Sequence, residues 1–387
     1  MEFTYCKLND VLKKVYSGGT PSTEIKEYWN GNIKWLSSGE TSQRFISDTI
    51  SKITKLGVQK SSTKLATKNS IVMACAGQGK TRGQTSFLLD DMYINQSIIA
   101  MQTNLKILPL YLFYNLSSRY EELRGGSDAS STRGSITTVK LKKLSFKYPD
   151  IDIQKKIATV LNNYDQLIEN NNKRIKLLEG MAESLYKEWF VRFRFPGYKK
   201  TEFENGIPRE WKIKKIKDVV KRLPFGKTYK ETELLDSGEV MVIDQSTAEF
   251  LGFHNGEASH KASFENPILL FGDHTCKYQL MCEDFSLGEN IIPYKNADDK
   301  IDQYYLFYST KDIIKTEEYK RHWGRFINFK IFIPSFNLQL KYRHVVEKLN
   351  KEKQNLWNQN QILVKQRDSL LPRLMSGKLS VEGKEVI

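Results

Sequence analysis

The chain has 387 residues and a formal charge of +15, from 60 Lys and Arg against 45 Asp and Glu, and 12% of its residues are aromatic. That length suffices for two or three domains with separate cores, and a balance so basic points to an anionic partner, with nucleic acid the first candidate. Four scattered cysteines without a CxxC pair, five histidines without metal-finger spacing, and no apolar run near 18 residues argue against a disulfide or zinc framework and against a membrane span, so a cytoplasmic protein with no metal site is expected.

Residues 1–148 are built from short β-branched and aromatic runs such as "NIKWLSSGE", "SIVMACAG" and "YINQSIIAMQT", broken by Gly, Ser, Thr and Asn, which predicts a β-rich domain. Within it, "ACAGQGKT" (Ala74 to Thr81) nearly matches the phosphate-loop pattern GxxxxGK[ST]. Such a loop needs a helix directly after it whose N-terminus faces phosphate. The residues after Thr81 are "RGQTSFLLDD", which predicts a strand, so the stretch reads as a β-hairpin tip projecting Gln78, Lys80, Thr81 and Arg82. A helix is expected around "LYLFYNLSSRYEEL", Leu110 to Leu123.

A long helix comes next. Ile157, Leu161, Tyr164, Ile168, Asn171, Ile175, Leu178, Ala182, Leu185 and Trp189 recur at steps of four and three, the a/d seam of a coiled coil. The connector from Val191 to Trp211 carries two Pro and two Gly without a period and reads as a linker. Residues 211–333 repeat the β-rich texture, and a second seam runs through Tyr342, Val346, Leu349, Lys353, Leu356, Asn360, Leu363, Arg367, Leu370 and Leu374.

The two halves echo each other in order. "KLNDVLKKVYSG" from Lys7 returns as "KIKDVVKRLPFG" from Lys215, "YLFY" occurs at Tyr111 and Tyr305, and "PDIDIQKKI" from Pro149 matches "PSFNLQLKY" from Pro334. One unit of about 190 residues is used twice. Two matched seams in one chain most simply pair with each other. The basic run Lys212 to Arg222 lies along phosphate or faces solvent. No catalytic constellation is visible: "NPIL" at Asn266 lacks the second Pro of an amino-methyltransferase strand end, and the acids of "PDIDIQK" sit at a helix start, where Asp150 or Asp152 reads as a cap.

This duplicated pattern resembles the specificity subunit of type I restriction-modification systems. The junctions carry the likeness: "GIPREWKIKKIKDV" (Gly206 to Val219), "SLYKEWFVRF" (Ser184 to Phe193) and "LPRLMSGKLSV" (Leu371 to Val381), with Pro-x-x-x-x-Gln helix starts at Gln154 and Gln339. The resemblance implies an α+β fold of two β-rich target-recognition domains in tandem, each followed by a long helix, with the helices paired as an antiparallel coiled coil. The implied segments are 1–150 (first recognition domain), 151–192 (central helix), 193–210 (linker), 211–335 (second recognition domain), 336–376 (C-terminal helix) and 377–387 (tail).

The function implied is a non-catalytic DNA-binding subunit for DNA modification and restriction. Each domain would read half of a bipartite site on double-stranded DNA. Expected partners are two methyltransferase subunits and ATP-dependent restriction subunits, with S-adenosylmethionine, ATP and magnesium on the partners and no cofactor on this chain. Candidate DNA-binding residues are Gln43, Arg44, Lys80, Thr81, Arg82, Thr132 and Arg133 in the first unit, and Gln245, His274, Lys277, Tyr278, Arg321, His322 and Arg325 in the second. A stand-alone coiled-coil regulatory protein that binds DNA is the alternative.

Overall fold

The structure, a computed structural model, describes residues 2–77, 80–128, 134–315 and 320–381. It divides into two compact units: Met1–Glu169 with Asn360–Ile387, and Asn170–Gln359. Each unit therefore holds one β-rich domain and a stretch of both long helices.

The first unit opens with a two-stranded ribbon, Thr4–Lys7 against Ser145–Tyr148. A five-stranded sheet has the order Leu12–Ser17, Ile98–Thr103, Ile71–Ala74, Thr85–Leu88 and Phe45–Ile46. A four-stranded sheet contains Trp29–Leu36 and Met92–Ile94 as parallel neighbours. The strand Ile71–Ala74 is buried at every position. It reads as an unbroken apolar run because both of its faces meet other layers.

The second unit repeats this plan. Its ribbon is Lys212–Lys215 against Lys330–Ile333, and its four-stranded sheet runs Val220–Arg222, Ile291–Asn296, Ile268–Gly272, Tyr278–Met281. A third sheet has Val240–Ile243 and Phe285–Leu287 as parallel neighbours. The duplication read in the sequence is thus a duplication of topology. The stretch expected as one helix from Leu110 to Leu123 is two, Pro109–Ser117 and Tyr120–Asp128, with Ser118 capping the first. Between Phe195 and Trp211 the chain forms a short hairpin, Phe203–Glu204 with Ile207–Pro208. Its turn is Asn205-Gly206, both at positive φ (49° and 78°), as a tight hairpin demands.

The helices Ile151–Tyr186 and Phe336–Ser376 carry the seams. Every seam position from Ile157 to Trp189 and from Tyr342 to Leu374 is buried or half-buried. In the second unit, Asn171 Nδ2 donates to Gln359 Oε1 (3.5 Å), Arg174 pairs with Glu352 (2.7 Å), Lys353 with Glu179 (3.3 Å), and Tyr342 OH donates to Ala182 O (3.1 Å). One number rises as the other falls, so the helices are antiparallel. In the first unit Ile157, Leu161, Leu371 and Leu374 share one core with the β-domain.

The Pro-x-x-x-x-Gln motif has a mechanical reason. Gln154 is fully buried; its Oε1 accepts from Leu108 N (2.9 Å), and its Nε2 donates to Lys106 O and Pro149 O (both 3.0 Å). Gln339 does the same with Asp302 N (2.8 Å), Lys300 O (3.3 Å) and Pro334 O (2.9 Å). One amide thus ties the start of each long helix to the loop before the Tyr-rich helix. Asp150 Oδ1 caps the central helix by accepting from Asp152 N and Ile153 N (both 3.0 Å). Replacing either glutamine by leucine strands one buried N–H and two carbonyls. We expect Gln154→Leu and Gln339→Leu each to lower stability by about 1–3 kcal/mol in urea unfolding; an unchanged midpoint would refute the lock.

Candidate nucleic-acid interface

The near-phosphate loop lies between two antiparallel strands, with Met73 opposite Thr85 and Ala74 N donating to Gln84 O (3.0 Å). The first element after Thr81 is the strand Thr85–Leu88, so no helix follows the turn directly. Gln78, Thr132 and Arg133 lie outside the described residues.

Of the other first-unit candidates, Gln43 and Lys80 are exposed and Thr81 is half-buried. Two arginines go elsewhere. Arg82 does not project: it is 8% exposed and its Nη1 donates to Gly134 O (3.0 Å). Gly134 sits at φ +47°, and a Cβ there would come within 2.4 Å of that guanidinium. Arg82 therefore packs against Gly134. Arg44 turns inward too, its Nε and Nη2 reaching Asp165 at 3.1 and 3.3 Å.

Asp165 is the centre of a buried network. Its carboxylate, 4% exposed, also accepts from Arg367 Nη1 (2.6 Å) and Tyr114 OH (2.7 Å). Burial, and then Asp165 itself, push the Tyr114 phenol far above its ordinary range, so Tyr114 stays a donor. The sequence marks Arg367 only as a polar seam position; its partner Asp165 lies off the seam and carries no signal there.

In the second unit the candidates converge. The turn between Ile268–Gly272 and Tyr278–Met281 places Cys276 at φ +53° and closes with Gly272 N donating to Lys277 O (2.8 Å). Gln245 Oε1 accepts from His274 N (3.0 Å), and Gln245 O accepts from Thr275 Oγ1 (2.6 Å). Lys277 Nζ donates to Asp244 O (3.1 Å) and Ala248 O (2.6 Å). Burial pulls its ammonium pKa down, while Asp244 and Glu249 oppose that shift. Asp273 Oδ1 accepts from His322 N (3.1 Å) and Trp323 N (2.9 Å), and Oδ2 stands 3.8 Å from Arg321 Nε.

Gln245, His274, Lys277, Arg321, His322 and Arg325 therefore share one surface feature, but in different roles. His322 is wholly buried, and Tyr278 faces the ring of Phe326 at 5.9 Å within the core. Lys277 buttresses the turn. Arg321, 80% exposed, and Arg325 project outward from it.

The chemistry such a surface offers is polar contact. Among the described residues no group of three His, Cys, Asp or Glu side chains is placed to hold a metal ion. Burial raises the thiols of Cys6 and Cys75, and it pushes Cys282 up to about 11, leaving these three protonated at neutral pH. No helix among the described residues is long and apolar enough to cross a membrane.

A β-rich unit used twice, each copy running into one of two antiparallel helices and one copy presenting a cluster of basic turn residues, is the architecture of a modular specificity protein. Residues 1–180 match the family described as type I restriction modification DNA specificity domain. Along nearly its whole length the chain is similar to the type I restriction enzyme MjaIX specificity subunit of Methanocaldococcus jannaschii, at 27% identity over 97% of this chain and 93% of that one. A shorter stretch, 40% of this chain and 39% of the relative, is 33% identical to the EcoR124I/EcoR124II specificity subunit of Escherichia coli. The crystal structure of the type I restriction-modification S subunit from M. genitalium superposes with a TM-score of 0.56 at 17% identity, covering 97% and 96% of the two chains, and shares the fold. The first 180 residues thus match a type I restriction modification DNA specificity domain, and nearly the whole chain is similar to a type I specificity subunit.

Proposed function

We propose that this chain is the non-catalytic sequence-reading subunit of a cytoplasmic type I restriction-modification complex, each β-rich domain reading one half of a bipartite DNA site. The observation that carries this reading is the duplicated framework with unlike turns. The hairpin at residues 75–84 is Gly-rich, whereas its counterpart at 273–277 is "DHTCK", tied by Gln245 and Asp273. Equivalent supports presenting different polar groups suit two different half-sites, because base edges are told apart by donor and acceptor pattern. The long helices would set the spacing and seat two methyltransferase subunits. S-adenosylmethionine would serve on those subunits, with ATP and magnesium on the restriction subunits.

The spacing role has its own test. Four residues inserted after Asn172 advance the helix beyond by about 6 Å and turn it by roughly 40°, a stutter that a heptad seam absorbs by local unwinding. With the methyltransferase present, the expected methylome keeps both half-site sequences and changes the spacer between them. Recovery of the original spacer would remove the helix as the spacing element.

A further inference from the structure

We propose that a lysine-lined cleft in the second unit binds the sugar-phosphate backbone of duplex DNA, separately from the turn cluster that would read bases. The cleft encloses about 650 Å³ and is lined by Ile213, Lys214, Lys215, Lys217, Asp218 and Lys330. Four of its six lining residues are thus lysines, against one aspartate. A second carboxylate, Asp298, stands 3.9 Å from Lys214 Nζ.

The duplication shows that the fold does not require these lysines. The ribbon Lys212–Lys215 with Lys330–Ile333 has the register of the first-unit ribbon Thr4–Lys7 with Ser145–Tyr148: Lys215 opposes Lys330 where Lys7 opposes Ser145. In the first unit that pair is satisfied, Lys7 Nζ donating to Ser145 Oγ at 3.2 Å. In the second, two like charges sit directly opposite, an arrangement that destabilises a strand pair. Cys6 and Asn9 likewise stand where the second unit has Lys214 and Lys217. The second unit thus carries three lysines that the first lacks at matching positions, and Lys330 sets a like charge across the ribbon from Lys215. An anion held between them removes the repulsion.

Position argues for DNA as the source of that anion, a reading that rests on the function proposed above. Ile216 N and Lys217 N donate to Phe329 O and Ile327 O (both 2.9 Å). The cleft therefore borders the segment leaving the helix Trp323–Phe326, which carries exposed Arg325. Lysines are mobile point charges suited to phosphate and indifferent to base identity. The row would grip the backbone beside the second half-site, whereas the first unit keeps only Lys7 at the four matching positions.

The test uses the full chain, a 30-base-pair duplex of arbitrary sequence, and fluorescence anisotropy between 50 and 200 mM KCl. The double variant Lys215→Gln/Lys330→Ser is expected to bind all sequences more weakly. It should lower the magnitude of the slope of log K against log[salt] by about 2, at near 0.9 per phosphate neutralised. The free variant should also melt higher than the parent, because the opposed charges are gone. Lys199→Gln/Lys200→Gln removes the same charge from exposed positions elsewhere and should leave the slope nearly unchanged. Equal slopes for parent and cleft variant, or equal loss in both variants, would overturn the proposal. So would an intact slope with loss of methyltransferase capture, which would assign the cleft to an acidic protein surface. A parent chain that binds no duplex would bring down the functional reading along with the cleft.

Discussion

Asp165→Ala is expected to destabilise the first unit by about 3–5 kcal/mol, a larger effect than that of either glutamine substitution. The reason is what remains behind. Arg367, 8% exposed, would lose its buried partner at Nη1 and keep only half-exposed Asp368, 2.8 Å from Nη2, while Tyr114 OH and Arg44 would lose their acceptor. Removing one member of a buried pair costs this much because the other charge stays desolvated. The pair itself need not be strongly favourable: Asp165→Leu with Arg367→Met removes both charges and should recover much of the loss. Urea unfolding of the three proteins checks both statements. A loss below about 1 kcal/mol for Asp165→Ala would mean that the network is solvated and behaves as a surface pair. The network has a functional side as well. Arg44 precedes the strand Phe45–Ile46 and comes directly after exposed Gln43, so Asp165 anchors the loop carrying one candidate reader to the central helix.

The long helices are legible because a strict alternation of four and three leaves few other structures for those residues, and even the polar seam positions find partners: Asn171 with Gln359, Lys353 with Glu179, Arg367 with Asp165. The repeat is legible for the same reason, since the order of its echoes survives divergence. The Pro-x-x-x-x-Gln motif is visible, but its meaning is not, because the Lys106 carbonyl that Gln154 holds comes from a loop 48 residues away.

The loops resist in a consistent way. An arginine in a turn-rich segment reads as solvent-facing unless its partner is known, and the partner of Arg44 is 121 residues distant. The neighbours of Arg82 assign it to a hairpin tip, yet it reaches inward to the carbonyl of Gly134. "YKRHWGRF" is rich in basic residues, but they do not share one fate: Lys320, Arg321 and Arg325 are exposed, whereas His322 among them is buried, with its backbone N–H bound to Asp273. Sequence places the polar turns and cannot say which side chains in them face outward. The opposition of Lys215 and Lys330 is also hidden, since it exists only once the ribbon's register is known.

The second large effect is expected from exchanging a whole reader. Replacing residues 1–148 by the matching domain of another specificity subunit leaves the central helix, its Asp150 cap and Gln154 in place. Base contacts come from loops within one domain, while the helices supply spacing and docking. The exchange should therefore replace one half-site completely and spare the other. Methylome sequencing of cells that express the swapped chain with its methyltransferase subunit is the most direct measurement. The account predicts a hybrid site, with the second half-site and the spacer of the parent and a new first half-site. A methylome in which both half-sites changed would show that the two domains read jointly, and the two-reader account would be wrong.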